Sequence, residues 1–430
     1  WIDHTRLWSR ISIIIKKKMK KKKLIYLLNS LAFVFLTLLS ACKEKQKEIE
    51  TSTEETQLVS EDLKWSERML LSEMHRFPEA WMLDFHDKPK WSYPNGLVLN
   101  AARRVYEETG NEKYYDYIYG YPDTMVNDDG SIRTYGLEKQ NLDMLKSGDV
   151  LLYVYDKTQE ERFKKAIDVL RKQIDSQPRT SDGGFWHKKR YPHQMWLDGL
   201  FMAEPFYAAF TQTFAEGEDA QKAYDDIVHQ FDLIQEHNYD AETGLLYHGW
   251  DESKEQIWAD EETGTSPNFW SRAMGWYGMA LVDVLDYLPE DYEGRTRLIT
   301  YLNQFAEAIA KVQDEETGLW YQVLDQGDRE GNYLEATGSS MFTYTLAKGV
   351  NKGYLPKDYM NVAKKGFNGI TQELISVEDN GVVNLNQCCA VAGLSADRDG
   401  SFDYYINEQK RSNDPKGTGA FILASLELDK

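Results

Sequence analysis

The chain has 430 residues, 42% hydrophobic and 28% charged, the composition of a folded globular protein and not of a disordered one. Its 50 Lys and Arg against 70 Asp and Glu leave a net charge of −20, which argues against a nucleic-acid binder, whose footprint is a basic face. Three cysteines cannot staple a disulfide scaffold, and 13% aromatics, with 12 Trp and 27 Tyr, supply either a large core or flat faces on which sugar rings stack.

In chain order, Met19 is followed by four lysines, an apolar run from Leu24 to Leu39 and the ending Leu39-Ser-Ala-Cys42. A basic head, an apolar stretch and small residues before a cut make a secretory signal. The ending resembles a bacterial lipoprotein signal, which places a lipid on Cys42. The apolar run carries Asn29 and Ser30 and falls short of the ~20 residues needed to span a bilayer. Residues 1–41 are therefore expected to be a signal segment, with translation starting at Met19 and residues 1–18 an over-long extension. The expected location is the cell envelope, as an outer-membrane lipoprotein facing the periplasm or the cell surface and touching the membrane through its lipid alone. Residues 1–41 hold nine basic residues and one acid, so the mature chain keeps 41 basic against 69 acidic residues, net −28. Such a surface stays soluble in salt, where its self-repulsion is screened, and points to a saline habitat. Residues 42–61, rich in Lys, Glu, Thr and Ser, read as a flexible tether.

From residue 62 to 430 the pattern is helix, Gly-bearing turn, helix. Gly130, Gly184, Gly244, Gly318 and Gly381 are spaced by 54, 60, 74 and 63 residues. Related phrases follow several of them: Gly184-Phe-Trp-His187, Gly244-Leu-Leu-Tyr-His248 and Gly318-Leu-Trp-Tyr321. Asp240-Ala-Glu-Thr-Gly244 and Asp314-Glu-Glu-Thr-Gly318 nearly repeat each other. Helical apolar periodicity runs over Leu145 to Tyr155, Phe163 to Ile174, Met279 to Leu288 and Leu298 to Val312. A regular period of this kind marks a repeat architecture. Six helical hairpins can close into a ring that hides every apolar face, so the expected fold is all-α, an (α/α)6 toroid in a single domain, with an open solenoid as the alternative. In a ring the Gly-aromatic loops gather at one end around a pocket.

Three of those loops carry chemistry. Gly184-Phe-Trp-His-Lys-Lys-Arg-Tyr-Pro-His-Gln-Met-Trp-Leu-Asp198 puts His187, Lys188 and Trp196 beside an acid in the first turn of a helix, with Met202 one turn further on the same face. A helix-start acid alone would only complement the dipole. Asn141-Leu-Asp143 sets a second acid at the comparable place one repeat earlier, and two carboxylates facing one pocket can divide acid and base roles. Trp270-Ser-Arg272-Ala-Met-Gly-Trp276 offers an arginine suited to a sugar carboxylate, or a plain salt bridge.

The blocks Tyr191-Pro-His-Gln-Met-Trp-Leu-Asp-Gly-Leu, Phe185-Trp-His-Lys-Lys and Trp270-Ser-Arg-Ala-Met-Gly-Trp-Tyr-Gly-Met resemble the unsaturated rhamnogalacturonyl hydrolases, glycoside hydrolase family 105. Gly96-Leu-Val-Leu, Thr109-Gly, Gln177-Pro-Arg-Thr and Glu335-Ala-Thr-Gly-Ser-Ser extend the likeness from about Trp91 to the C-terminus. The resemblance implies the same toroid. It also implies removal of a 4,5-unsaturated uronic acid from oligosaccharides left by an upstream polysaccharide lyase, by adding water across the C4=C5 enol ether. It gives Asp198 and Asp143 the catalytic roles, and His187, Lys188, Trp196, His248, Trp270, Arg272 and Trp276 the pocket that holds the substrate; Met202, on the Asp198 face of its helix, is expected to bind substrate beside them. His193 is expected to be structural, and Lys146 to point to solvent. With no spaced His/Cys cluster and no calcium-loop spacing, neither metal nor cofactor is expected. Cys388 and Cys389 are expected as buried thiols. The expected substrate is an unsaturated uronate–rhamnose oligosaccharide from rhamnogalacturonan or ulvan, the acidic surface favouring ulvan. The alternatives are a conventional glycosidase or sugar epimerase on the same fold, and a non-catalytic glycan-binding lipoprotein.

Overall fold

The computed structural model describes residues 17–22 and 57–430. It divides into two units, 1–58 and 59–430. In the first, residues 17–22 are helical and exposed. Cys42 and nearly all of the expected signal and tether lie outside the described residues.

In the second unit the helices are α1 (Trp65–Arg76), α2 (Tyr93–Thr109), α3 (Glu112–Met125), α4 (Gly148–Thr158), α5 (Glu161–Ser176), α6 (Leu197–Phe214), α7 (Gly217–Asn238), α8 (Ser271–Val284), α9 (Gly294–Lys311), α10 (Ala336–Asn351), α11 (Tyr359–Gly369), the short α12 (Phe402–Asn407) and α13 (Pro415–Leu428). Six of them, α2, α4, α6, α8, α10 and α13, pack in that order side by side, and α13 returns to α2 to close the ring. The other long helices cover them from outside, α3 on α2, α5 on α4, α7 on α6, α9 on α8 and α11 on α10. The sixth hairpin joins the two ends of the domain: α1 covers α13. This is the (α/α)6 toroid.

Sequence decides which helices line the ring. In α5, Phe163, Ala166, Ile167, Leu170 and Ile174 recur at spacings of three and four and are buried, while Lys, Arg and Asp fill the other face. Such a helix has one side to hide. Every residue of α8 is buried, so it needs neighbours all round and must stand inside. Truncating a core leucine such as Leu170 to Ala costs about 2–5 kcal/mol.

Between each outer helix and the next inner one runs a long connection: 77–92, and then the glycine-bearing 126–147, 177–196, 239–270, 312–335 and 370–414, whereas the inner-to-outer links are short. Gly130, Gly183, Gly244, Gly318 and Gly381 open these connections with φ between +77° and +101°, a conformation that favours glycine. In the second turn the left-handed residue is Gly183, and Gly184 is instead pressed against Met195. The repeated phrase has a local cause: Asp240 and Asp314 each accept from the backbone N–H and hydroxyl of the threonine three residues on. Short strands brace the connections: β1 (Gln194–Trp196) with β2 (Gly249–Asp251), β3 (Ile375–Val377) with β4 (Val383–Leu385), and β5 (Cys388–Cys389) with β6 (Lys410–Arg411), all antiparallel. Cys388 and Cys389 are free, buried thiols.

Lys146 departs from expectation. It is fully buried, with its ammonium 2.7 Å from Asp149 and 3.7 Å from the Phe201 ring centroid. The polypeptide between Met144 and α4 turns inward, and the aspartate and the ring face replace the water that the charge loses.

Candidate active site

The long connections deliver the chain to the N-termini of the inner helices, and one end of the ring opens there as a cavity of about 900 Å³. Trp91, Ser92 and Tyr93 at the start of α2, Asp143 and Met144 before α4, Lys188 to Arg190, Arg411, and Lys416 in α13 line it. Helix N-termini carry partial positive charge, so this end favours anions before any side chain is counted.

The backbone stitches the Asp143 turn to the His187 loop. Leu142 N–H donates to His187 C=O at 3.1 Å, and Lys189 N–H to Gln140 C=O at 3.0 Å. Asn141 Oδ1 accepts the Asp143 N–H and shapes the turn. Asp143 then stands with Oδ1 3.3 Å from His187 Nε2 and Oδ2 2.5 Å from Lys188 Nζ. His187 is buried and stacks on Trp196 at 4.5 Å between centroids, and Trp196 stacks in turn on Tyr191. Burial pushes the His187 imidazole down to about 4, against the pull of Asp143, so it is neutral at pH 7.

Asp198 sits in the first turn of α6 because β1 runs straight into that helix. The β1–β2 register pairs Trp196 with Gly249, and Leu197 N–H donates to His248 C=O at 3.1 Å. That pairing brings His248 Nε2 to 3.4 Å from Asp198 Oδ2. Burial on its own raises the Asp198 carboxyl, but His248, His187 and Arg272 together outweigh it and hold the group below the usual carboxylate range. Gly199 permits the close approach of α6 to both loops: a Cβ there would meet Leu142 at 3.1 Å and His187 Nδ1 at 3.4 Å.

Arg272, in the first turn of α8, is also buried. Its guanidinium lies 4.8 Å from the Trp270 ring centroid, and Nη1 donates to the Cys389 carbonyl. Glu335 fixes that carbonyl's residue by accepting the Cys389 N–H at 2.8 Å. Arg272 Nη2 lies 3.8 Å from Cys389 Sγ, and among the described residues the guanidinium has no ion-pair partner.

The expected residues thus fall in layers. Asp143 and Lys188 face the cavity. His187, Trp196, His248, Trp270 and Arg272 form a buried cluster around the partly exposed Asp198, linked by the contacts above and by a 4.8 Å approach of the His248 and Trp270 rings. Met202 and Trp276 are core residues beneath it, Trp276 stacking on Phe201 at 4.7 Å with its edge toward Tyr93. His193 is half exposed, pairs with Glu252 and packs on Trp186, away from the cavity wall.

Sequence reading missed most of the cavity's charge. Seven cations, Lys90, Lys139, Lys188, Lys189, Arg190, Arg411 and Lys416, line it against three acids, Asp84, Glu138 and Asp143. Lys188 is matched by Asp143, and Arg411 and Lys416 by Asp84 and Asp414. Among the described residues Lys90, Lys139, Lys189 and Arg190 have no ion-pair partner, and all four are exposed at the mouth. In a chain of net charge −20 this is a local inversion of sign. The seven cations come from four separate connections and from α13, so no single motif announces them. Among the described residues no group of three or more His, Cys, Asp or Glu is placed to hold a metal ion.

The sequence matches the family model described as Glycosyl Hydrolase Family 88 over residues 65–430. A solved glycoside hydrolase of family 105 from C. acetobutylicum ATCC 824 is 47% identical, with a TM-score of 0.81 over 85% of this chain and 99% of that one. Protein Atu3128 of Agrobacterium fabrum is 35% identical over 239 residues, 53% of this chain and 97% of the relative. The unsaturated rhamnogalacturonyl hydrolase YesR of Bacillus subtilis is 25% identical over 300 residues, 68% of this chain and 78% of the relative. The match spans the whole ring, and the chain belongs to Glycosyl Hydrolase Family 88, in its family 105 branch, and is a glycoside hydrolase.

Proposed function

We propose that the protein removes a 4,5-unsaturated uronic acid from the non-reducing end of uronate–rhamnose oligosaccharides made by a polysaccharide lyase, by hydrating the enol-ether double bond. The observation that carries this reading is Asp198, largely enclosed beside an arginine that has no ion-pair partner among the described residues and set next to a cation-lined cavity. The uronate carboxylate docks on Arg272, and the unsaturated ring lies against Trp196 and Trp270. Resting Asp198 is a carboxylate. A substrate carboxylate brought close to it raises its proton affinity, so Asp198 takes up a proton from solvent as the site fills. It then gives that proton to C4, positive charge develops at C5, and water adds there and returns a proton to Asp198. The resulting hemiketal opens, and collapse at C1 frees the next sugar. Asp143, held by Lys188 and His187, orients the ring and the water.

The experiment is the ultraviolet absorbance of the enol ether, followed while lyase products of pectic rhamnogalacturonan and of ulvan are offered side by side. Hydration consumes the double bond, so absorbance falls as rhamnose-ended product appears, and the faster substrate identifies the polysaccharide. The acidic mature surface favours ulvan. Product release with unchanged absorbance overturns hydration in favour of a conventional glycosidase. We further propose acylation at Cys42 as the anchor to the cell envelope, in which case Cys42→Ala leaves the membrane fraction.

A further inference from the structure

Behind the cluster stands a group that the chemistry above does not use. Tyr405, in α12, is fully buried, and its hydroxyl makes one hydrogen bond among the described residues, with His248 Nδ1 at 2.7 Å. The other nitrogen of the same ring, Nε2, faces Asp198 Oδ2 at 3.4 Å. We propose that Tyr405 is a positioning residue for the reaction: by donating its O–H to Nδ1 it locks His248 in the tautomer that carries its proton on Nε2, and so aims an N–H at Asp198.

Two independent arguments select this tautomer. In the other one, Nδ1–H would donate to the phenol oxygen, and the phenolic hydrogen would be left without an acceptor in a dry site. In that same tautomer the bare Nε2 lone pair would face a carboxylate oxygen, which repels it. Donation by Tyr405 removes both penalties at once. The phenol is also held in place. Gln322 Nε2 donates to the Tyr405 carbonyl at 3.1 Å, Gln322 Oε1 accepts from Trp270 Nε1 at 3.2 Å, and the Trp270 ring stacks on Tyr405 at 5.7 Å. Burial keeps the phenol well above its ordinary value, hence protonated and able to donate.

Other groups also bear on Asp198: Arg272 from α8, and His187 from the preceding loop once it is protonated, with Asp143 in contact with His187 and Lys188 adjacent to it. None of them depends on the Tyr405 hydroxyl. Through turnover Tyr405 and His248 keep their protons, and only Asp198 exchanges one with C4 and water. The role assigned to Asp198 rests on the hydration reading, whereas the tautomer of His248 does not.

Tyr405→Phe removes the donor and keeps the ring. Expected are a fall in kcat of about tenfold or more, KM within about twofold of wild type, and a shift of the Asp198 inflection in the pH profile to higher pH. Wild-type kcat with an unmoved inflection overturns the proposal. Should the variant fail to fold, ¹⁵N NMR of histidine-labelled wild-type protein decides, with His248→Gln identifying the resonance. A proton on Nε2 supports the proposal and a proton on Nδ1 overturns it. If wild-type protein bleaches no unsaturated substrate, the hydration reading has failed, and the NMR result still stands or falls on its own.

Discussion

The two ends of the ring handle charge in opposite ways. At the N-terminal ends of the inner helices, cations and carboxylates stand around an open cavity of about 900 Å³, and several cations lack partners. Toward the C-terminal ends a cavity of about 190 Å³ is lined by charges that are mostly paired with one another. Lys348 lies 2.7 Å from Asp283 and 2.6 Å from Asp286, Tyr344 donates to Asp283 at 2.6 Å, and Arg104 pairs with Glu427. Burial works against a charged Lys348, but Asp283, Tyr344 and Asp286 outweigh it and lift the amine well above its ordinary value, so it stays ionised. Charges paired among themselves seal the lower end and serve the fold. Charges left open at the upper end serve a ligand. The same residue types therefore have different consequences when removed.

The largest expected effect is at the upper end. Asp198→Asn keeps size and polarity and removes the titrating group. Activity should fall by about 10²–10⁴-fold, with the melting temperature near wild type. The matched change below is Lys348→Met, which leaves Asp283 buried without its cation, while the exposed Asp286 keeps Lys352 at 2.8 Å. It should cost about 3–5 kcal/mol of stability in denaturant titration while kcat/KM per folded molecule is unchanged. If Asp198→Asn unfolds the protein, or Lys348→Met slows catalysis while stability is retained, the division between the two ends is wrong.

Arg272 tests the boundary, since it is as buried as the lower charges yet lacks their partners. Loss of one charged hydrogen bond in a buried pocket costs about 2–4 kcal/mol, so Arg272→Ala should lose about 30- to 1,000-fold in kcat/KM. A guanidinium with only a structural role would lower stability and leave kcat/KM near wild type.

How much of this was legible beforehand depended on locality. The ring was legible because glycine turns and apolar periodicity repeat along the chain, and amphipathic helices such as α5 were placed closely. Inner helices were harder. α8 is buried on every side, so no stripe marks its start, and its periodicity was read from Met279 when the helix begins at Ser271. Asp143, His187, Lys188, Trp196 and Asp198 fall within two short blocks, and the structure brings them together. Tyr405, Arg411 and Lys416 reach the site only because α12, β6 and α13 fold back beside α2 and α8, and nothing local marks them. Lys146 was misread because a helix-start lysine ordinarily points outward, and only the tertiary fold supplies Asp149 and Phe201 as its partners.

A weaker contrast lies in pH. Unfolded His187 takes up a proton near its ordinary value of 6.5, but in the fold only near 4. Between those values the unfolded chain binds more protons, so stability rises with pH across this window. The stabilisation is fully present above about pH 6.5 and is lost as pH falls toward 4, an effect on the order of 2–3 kcal/mol. Comparing wild type with His187→Gln by urea titration at pH 7 and pH 4.5 isolates it: the variant should lose less stability between the two. An equal loss in both proteins would remove His187 as the cause.

The smallest effect concerns the mouth. Lys189 and Arg190 are exposed and, among the described residues, without ion-pair partners, so their pull on an anionic oligosaccharide is long-ranged and open to screening. The Debye length falls from about 10 Å at 0.1 M salt to about 3 Å at 1 M. Lys189→Ala combined with Arg190→Ala should lower kcat/KM by a few-fold at low salt, through association and not through kcat, and the deficit should shrink as salt rises. Lys222→Ala combined with Lys311→Ala removes the same number of charges from the outer helices α7 and α9, where each lysine already pairs with a glutamate one turn away. If that variant changes the salt dependence as much as the mouth variant, the net charge of the protein draws the substrate in. If only the mouth variant does, the attraction comes from the local inversion of sign, because screening acts on each charge over the distance to the ligand and only the mouth cations lie within it.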